Sequence, residues 1–258
     1  TKINKFFYPK KEIKNLIQKK LKIKDNEIKK KSINITFRLR NKSFNNFDKT
    51  NYLRDSNFKN LKIIINYLLK NTDYTLFITG DCDQIDINHK NLIYYQKVKK
   101  QISKNLYTLA IQTLSNYHIL QASGANELIK FNKCKCLYID CWPPMNFFSN
   151  SVILFKNIYE NNNKRVDCIS YLKKYLKSFL SKSKNNDLVQ SKRNFIKFYK
   201  ANNFKIINND KKQILIALNE FLDFISNKKI VRRNYNLNNY YKKRLIENKS
   251  FLSKANFK

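Results

Sequence analysis

An excess of basic over acidic residues is the feature that most constrains what this chain can fold into. The 258 residues include 53 Lys and Arg against 18 Asp and Glu, a formal net charge of +35. A compact domain with that charge repels itself, and a polyanion whose counterions are released on contact relieves the repulsion. Apolar residues make up 42% of the chain and aromatic residues 14%, enough for a packed core. We therefore expect a folded basic protein with a polyanionic partner.

Codon usage explains part of the lysine content. The codons for Lys, Asn, Ile, Phe and Tyr are poor in G and C, and the chain contains 45 Lys and 39 Asn but 8 Arg, 3 Pro and 2 Gly. A genome with a strong A+T bias produces such a composition without selection for charge. The same bias does not remove Asp and Glu, and it disfavours Arg. The shortage of acids and the positions of the arginines are therefore better evidence for a polyanionic partner than the number of lysines is.

The shortage of glycine excludes several classes of site. A P-loop, a dinucleotide-binding fingerprint, a kinase-type loop and a nucleophile elbow all need glycines for positive φ or close backbone approach. Only Gly80 and Gly124 are present. We expect no catalytic residues and no cofactor.

Hydrophobic periodicity predicts both strands and helices. At 33–39, apolar residues alternate with Asn34, Thr36, Arg38 and Arg40, which predicts a half-buried strand with its basic residues outward. No run of 18 apolar residues occurs, so no membrane span is expected. Further strands are predicted at 74–79, 134–141 and 204–207, and helices at 10–28, 58–69, 106–117, 167–180, 194–200 and 210–225.

These elements predict an α+β fold, with a mixed sheet and packed helices in the first half and a mostly helical second half with basic extensions. The expected domains are an α/β RNA-binding domain at 1–150 and a mostly helical basic region at 151–258.

Basic clusters are the candidate RNA-binding residues. Phosphate contacts need positive charge and reach, while Arg adds bidentate hydrogen bonds and stacking on bases. Tyr235, Tyr240 and Tyr241 interleave with the last cluster, an arrangement that stacks bases while cations hold the backbone. The alternative interpretation is a solvated basic face. The candidates are Lys29, Lys30, Lys31, Arg38, Arg40, Lys42, Lys97, Lys99, Lys100, Lys192, Arg193, Arg232, Arg233, Lys242, Lys243 and Arg244.

Metal and acid–base sites have weaker support. Asp81, Asp83 and Asp86 could hold a divalent cation, but such a loop is more often turn chemistry. His89 and His118 are isolated and favour ordinary structural roles. No metal site is predicted, although zinc binding by a set of cysteines stays open because Cys134 and Cys136 share a strand face. That set is Cys134, Cys136, Cys141 and Cys168.

One further stretch, Trp142-Pro143-Pro144, ends a predicted strand because proline cannot continue a ladder. Its tryptophan could dock on RNA or on a partner protein. A buried anchor at the strand end is the favoured interpretation.

The chain resembles, in style, ribosomal proteins encoded in A+T-rich organelle genomes, in particular those of protist mitochondria. Enrichment in Lys, Asn, Ile, Phe and Tyr runs through the whole chain, and basic patches such as Ile33–Lys42 and Val231–Arg244 carry the likeness. The resemblance implies a mitochondrial location, rRNA and other ribosomal proteins as partners, and a structural role in a ribosomal subunit, with the small subunit favoured. Two alternatives stay open: an accessory subunit of a mitochondrial respiratory complex, and a nucleic-acid-processing enzyme that uses the acidic loop.

Overall fold

The computed structural model describes residues 31–37, 57–80, 85–121, 134–142, 150–167, 201–228 and 249–257, together with residues 15, 19, 129, 170, 171, 174 and 199. The strands are β1 (Ser32–Phe37), β2 (Thr75–Gly80), β3 (Leu92–Tyr94), β4 (Tyr117–Leu120), β5 (Lys135–Cys141), β6 (Ser151–Phe155), β7 (Asn157–Tyr159), β8 (Arg165–Val166), β9 (Lys205–Ile207) and β10 (Phe251–Leu252). The helices are α1 (Phe58–Asn71), α2 (Tyr95–Val98), α3 (Lys104–Leu114) and α4 (Lys211–Ile225), followed by a 3-10 turn at Lys254–Phe257.

Seven of these strands form one sheet in the order β10-β6-β5-β4-β1-β2-β3. Every neighbouring pair in it is parallel. With helices between the strands, the architecture is of the α/β class. The prediction of an α+β fold with a mixed sheet is corrected here, since parallel strands joined by crossovers replace the expected mixture.

Helices cover both faces of the sheet. On one face, α1 and α4 pack against apolar residues of β1, β2, β4, β5 and β6, among them Ile33 and Ile35. On the other face, α3 packs against Phe77 of β2. Strands covered in this way have both faces buried, which explains the continuous apolar run of β6.

Burial on both faces also corrects the prediction for β1. The strand is not half-buried, because all six of its residues are buried, Asn34 and Thr36 among them. The alternation is real, but the polar side chains bond to one another and to neighbouring strands instead of to water.

The division expected at residue 150 falls inside the main sheet. Strand β6, after that residue, pairs with β5 before it, and β10 pairs with β6. The described part of the second half also contains an antiparallel three-stranded sheet in the order β8-β7-β9. The sheet therefore draws its strands from both sides of the expected boundary.

Local signals account for α1 and α4, the two longest helices among the described residues. At α1, the Asn57 side chain accepts a hydrogen bond from the Asn60 backbone N–H at 2.7 Å, which caps the first turn. At α4, Asp210 and Gln213 form a capping box, each side chain accepting from the other's backbone N–H. The predicted helices at 58–69 and 210–225 are thus present with nearly the expected bounds.

Candidate functional site

Four of the sixteen predicted RNA-binding residues lie in the described part of the chain: Lys31, Lys97, Lys99 and Lys100. The other twelve are outside the described residues: Lys29, Lys30, Arg38, Arg40, Lys42, Lys192, Arg193, Arg232, Arg233, Lys242, Lys243 and Arg244.

These four lysines do not form one patch. Lys31 precedes β1 and so lies at the amino edge of the parallel sheet, whereas the other three follow β3 at the carboxyl edge. Lys97 donates to the backbone carbonyls of His89 and Leu92, at 3.3 and 3.1 Å. Lys99 and Lys100 are exposed and, by contrast, have no such contact with a described residue.

Acidic side chains in the described residues are used by the fold itself. Seven of the eight contact another described residue through their side chains, and Asp73 is the exception. Asp210 and Asp167 cap helical turns, and Glu220 accepts from the hydroxyl of Ser253. The other four are Asp140, which is buried, and the ion-paired Asp86, Glu160 and Asp223.

The described lysines differ from the described acidic residues in their surroundings. Many are exposed and form no ion pair with any other described residue, so the positive charge is left on the surface. These exposed lysines are Lys19, Lys31, Lys59, Lys70, Lys90, Lys97, Lys99, Lys100, Lys164, Lys205, Lys211, Lys212 and Lys249.

A basic groove, which the sequence analysis missed, runs between α1 and α4. It has a volume of about 680 Å³ and is lined by four lysines, namely Lys59, Lys62 and Lys70 of α1 and Lys211 of α4. Among the described residues that line it, none is acidic. The first turn of α1 lacks acids and its cap is Asn57, so Lys59 stands beside a positive helix end at a cost of about 0.3–1 kcal/mol. The spacing of the α1 lysines was visible in the sequence; the approach of α4 was not.

One ion pair stands at this groove. The Asp86 carboxylate lies 3.0 Å from the Lys62 ammonium, and both groups are substantially exposed. The hydrogen bond from Lys62 lowers the pKa of Asp86 below its ordinary value. Asp86 therefore neutralises one of the four groove lysines. Asp81 and Asp83 lie outside the described residues.

Buried Asp140 holds the two helices of the groove at the carboxyl edge of the sheet. Its carboxylate accepts from the Asn60 side-chain amide at 2.9 Å and from the Asn209 backbone N–H at 2.7 Å. Asn60 belongs to the first turn of α1, and Asn209 precedes the cap of α4. Asp140 has a φ of 49°, a left-handed conformation that Asp tolerates better than most residues. One carboxylate thus fixes where both helices begin.

A second polar network lies beneath α3 and is closed to solvent. His118 contacts the Asn34 amide through Nδ1 at 3.1 Å and the Ser115 carbonyl through Nε2 at 2.8 Å. Thr36 and Thr79 complete the network with a hydroxyl–hydroxyl bond of 2.9 Å. Burial lowers the pKa of His118 to about 4, so the ring is neutral at physiological pH. The favoured structural role of His118 agrees with these contacts.

The described cysteines behave as small buried residues. Cys134, Cys136 and Cys141 are free thiols and buried. The Cys134 thiol donates to the Ser115 carbonyl at 3.4 Å, and burial raises its pKa to about 12. Within the described residues, no group of three His, Cys, Asp or Glu side chains could hold a metal ion. Cys168 lies outside them.

Trp142 is buried, as favoured from the sequence, and its ring packs against Tyr171 and Tyr199 with centroids 6.4 and 5.9 Å away. His89 is half-buried, and its Nδ1 accepts from the Asn91 backbone N–H. Trp142 is therefore a buried side chain rather than an exposed docking group.

The order of the main sheet reverses between β1 and β4, and α/β proteins of this type bind ligands in the crevice beyond the strand ends at such a point. The segments that follow these strands, 38–56 and 122–128, are outside the described residues. We therefore assign no binding residues to this crevice.

The part of the chain that the structure describes contains no helix long and apolar enough to cross a membrane. Comparisons with protein-family models, curated proteins and solved structures found no match to this chain.

Proposed function

We propose that this protein is a structural, non-enzymatic component of the mitochondrial ribosome that binds rRNA through its basic surface. The observation that carries the proposal is the division of charge. Carboxylates in the described residues cap helices, pair with lysines or sit buried under the helices, while most lysines project into solvent. A surface of that kind attracts a polyanion over its whole extent.

Composition supports the ribosomal and mitochondrial part of the proposal. The chain shares its Lys-, Asn-, Ile-, Phe- and Tyr-rich style with ribosomal proteins of A+T-rich organelle genomes. A protein that holds folded rRNA needs charge and a stable fold but no catalytic group. The small subunit is the favoured position, and other ribosomal proteins are the expected neighbours.

RNA titration tests the binding itself. The logarithm of the association constant should fall linearly with the logarithm of salt concentration, with a slope of about −0.7 for each phosphate contact to single-stranded RNA. Filter binding at several KCl concentrations measures this slope. Absent or salt-independent binding would remove the basis of the proposal.

Sedimentation tests the assembly. In a mitochondrial lysate separated on a sucrose gradient, the protein should travel with ribosomal particles and leave them in high salt. Co-migration with a respiratory complex would instead identify an accessory subunit. Mg²⁺-dependent RNA cleavage by the purified chain, lost when Asp81, Asp83 and Asp86 become Asn, would identify a nucleic-acid-processing enzyme.

A further inference from the structure

The groove between α1 and α4 has the positive charge and the length to bind a phosphate backbone. From Lys59 to Lys70, one wall of the groove rises about 16 Å along the axis of α1. Lys211 stands on the opposite wall, at the first residue of α4. Three of the four groove lysines, Lys59, Lys70 and Lys211, are exposed and form no ion pair with a described residue.

An aromatic ring lies among these lysines. Tyr67 lines the groove and is half-buried, and its hydroxyl donates a hydrogen bond to the Asn219 side chain of α4. That bond ties α1 to α4 across the groove and holds the ring in place. Cations that follow a backbone, together with an aromatic ring for a base, are the means by which proteins hold single-stranded nucleic acid.

The groove is supported rigidly. Asp140 binds Asn60, in the first turn of α1, and Asn209, just before the cap of α4, at the edge of the sheet. Beneath, both helices pack on the same apolar core, which includes Leu61 of α1 and Phe221 of α4. The helix backbones that carry the lysines are therefore held in place before any ligand arrives.

We propose that this groove binds the sugar–phosphate backbone of a single RNA strand, with Lys59, Lys70 and Lys211 on phosphates and Tyr67 beside a base. The proposal rests on the RNA-binding function proposed above and assigns part of that binding to one surface. Asp86 limits the affinity, because it holds Lys62 in an ion pair at the groove.

A variant that frees Lys62 from its ion pair gives the sharpest test. It should bind RNA more tightly, whereas a variant that merely unfolds would bind RNA less tightly. In Asp86→Asn the lysine becomes free to contact a phosphate. The matched control is Asp223→Asn, which makes the same change in net charge and breaks a similar exposed ion pair, with Lys228, outside the groove. The probe is a fluorescently labelled, mixed-sequence single-stranded RNA of about 20 nucleotides, followed by anisotropy over a range of KCl concentrations.

We expect Asp86→Asn to bind this RNA about two- to fivefold more tightly than the unmodified chain, with a salt slope steeper by about 0.7. Asp223→Asn should leave the slope unchanged. Conversely, Lys59→Gln with Lys70→Gln should make the slope shallower by about 1.4, whereas the control pair Lys164→Gln with Lys205→Gln should change it by less than half of that. Ultraviolet cross-linking of the bound RNA should mark the peptide that contains Tyr67.

The outcomes separate the two proposals. If the unmodified chain binds RNA with a steep salt slope but Asp86→Asn and Asp223→Asn behave alike, the groove assignment is overturned and RNA binding stands. If the unmodified chain does not bind RNA, both fail. If a polyglutamate peptide responds to Asp86→Asn as strongly as RNA does, the groove takes acidic polypeptide and the assignment to RNA is overturned.

Discussion

Removal of the Asp140 carboxylate should destabilise the protein far more than removal of an exposed carboxylate. The side chain is fully buried and accepts two hydrogen bonds, from the Asn60 amide and the Asn209 backbone N–H. In Asp140→Ala the Asn60 amide keeps a second acceptor, the Asn209 carbonyl at 3.3 Å. The Asn209 N–H loses its acceptor, and an unpaired buried donor costs about 1–3 kcal/mol.

Two further losses add to this cost. Hydrogen bonds to a charged group contribute about 1.5–3 kcal/mol each, and alanine at a φ of 49° is disfavoured by about 1–2 kcal/mol. Because these contributions overlap, we expect Asp140→Ala to lower the free energy of unfolding by about 3–5 kcal/mol. Asp140→Asn tolerates the backbone conformation and retains one acceptor oxygen, so its loss should be about 1–2 kcal/mol.

Urea denaturation followed by circular dichroism measures both variants, with Asp223→Ala as the control. That exposed ion pair with Lys228 should contribute no more than about 0.5 kcal/mol. The reasoning is refuted if Asp140→Ala costs less than about 1 kcal/mol, or if Asp140→Asn is as damaging as the alanine variant.

Three other predictions concern the main sheet. Gly80→Ala should cost about 2–4 kcal/mol, because Gly80 has a φ of 97° and an added Cβ would lie 2.0 Å from the Phe37 carbonyl oxygen; an unchanged melting temperature would contradict this. Burial lowers the pKa of His118 from 6.5 to about 4. The free energy of unfolding should therefore be unaffected by the titration of this group above pH 6.5, and it should fall by about 3 kcal/mol as the pH is lowered towards 4. His118→Asn should remove that part of the pH dependence, as urea midpoints at about pH 7 and about pH 4.5 would show, and an unaltered dependence would count against the argument. Because burial raises the pKa of Cys134 to about 12, iodoacetamide should spare this thiol in the folded protein and alkylate it in urea, as followed by mass spectrometry; rapid labelling of the folded chain would disagree.

Local sequence signals predicted the elements that depend on their own residues. The apolar stripe of α1 and the Asp210 cap of α4 are confirmed, as are the buried strands β2 and β5. Strands β4 and β6 were not predicted, since short apolar runs do not distinguish a buried strand from part of a helix. The alternation in β1 suggested an exposed face, because a polar side chain in the sequence does not reveal whether another chain segment will bond it.

What the sequence alone determined was the surplus of positive charge, the capacity for a packed core and the position of the longest helices. These properties depend on composition and on residues a few positions apart. The tertiary structure decided the parallel order of the strands, the burial of Asn34 and His118, and the meeting of lysines from α1 and α4 in one groove. Asn60 and Asp140, which set that groove, are 80 positions apart, so only the pairing of distant segments could bring them together.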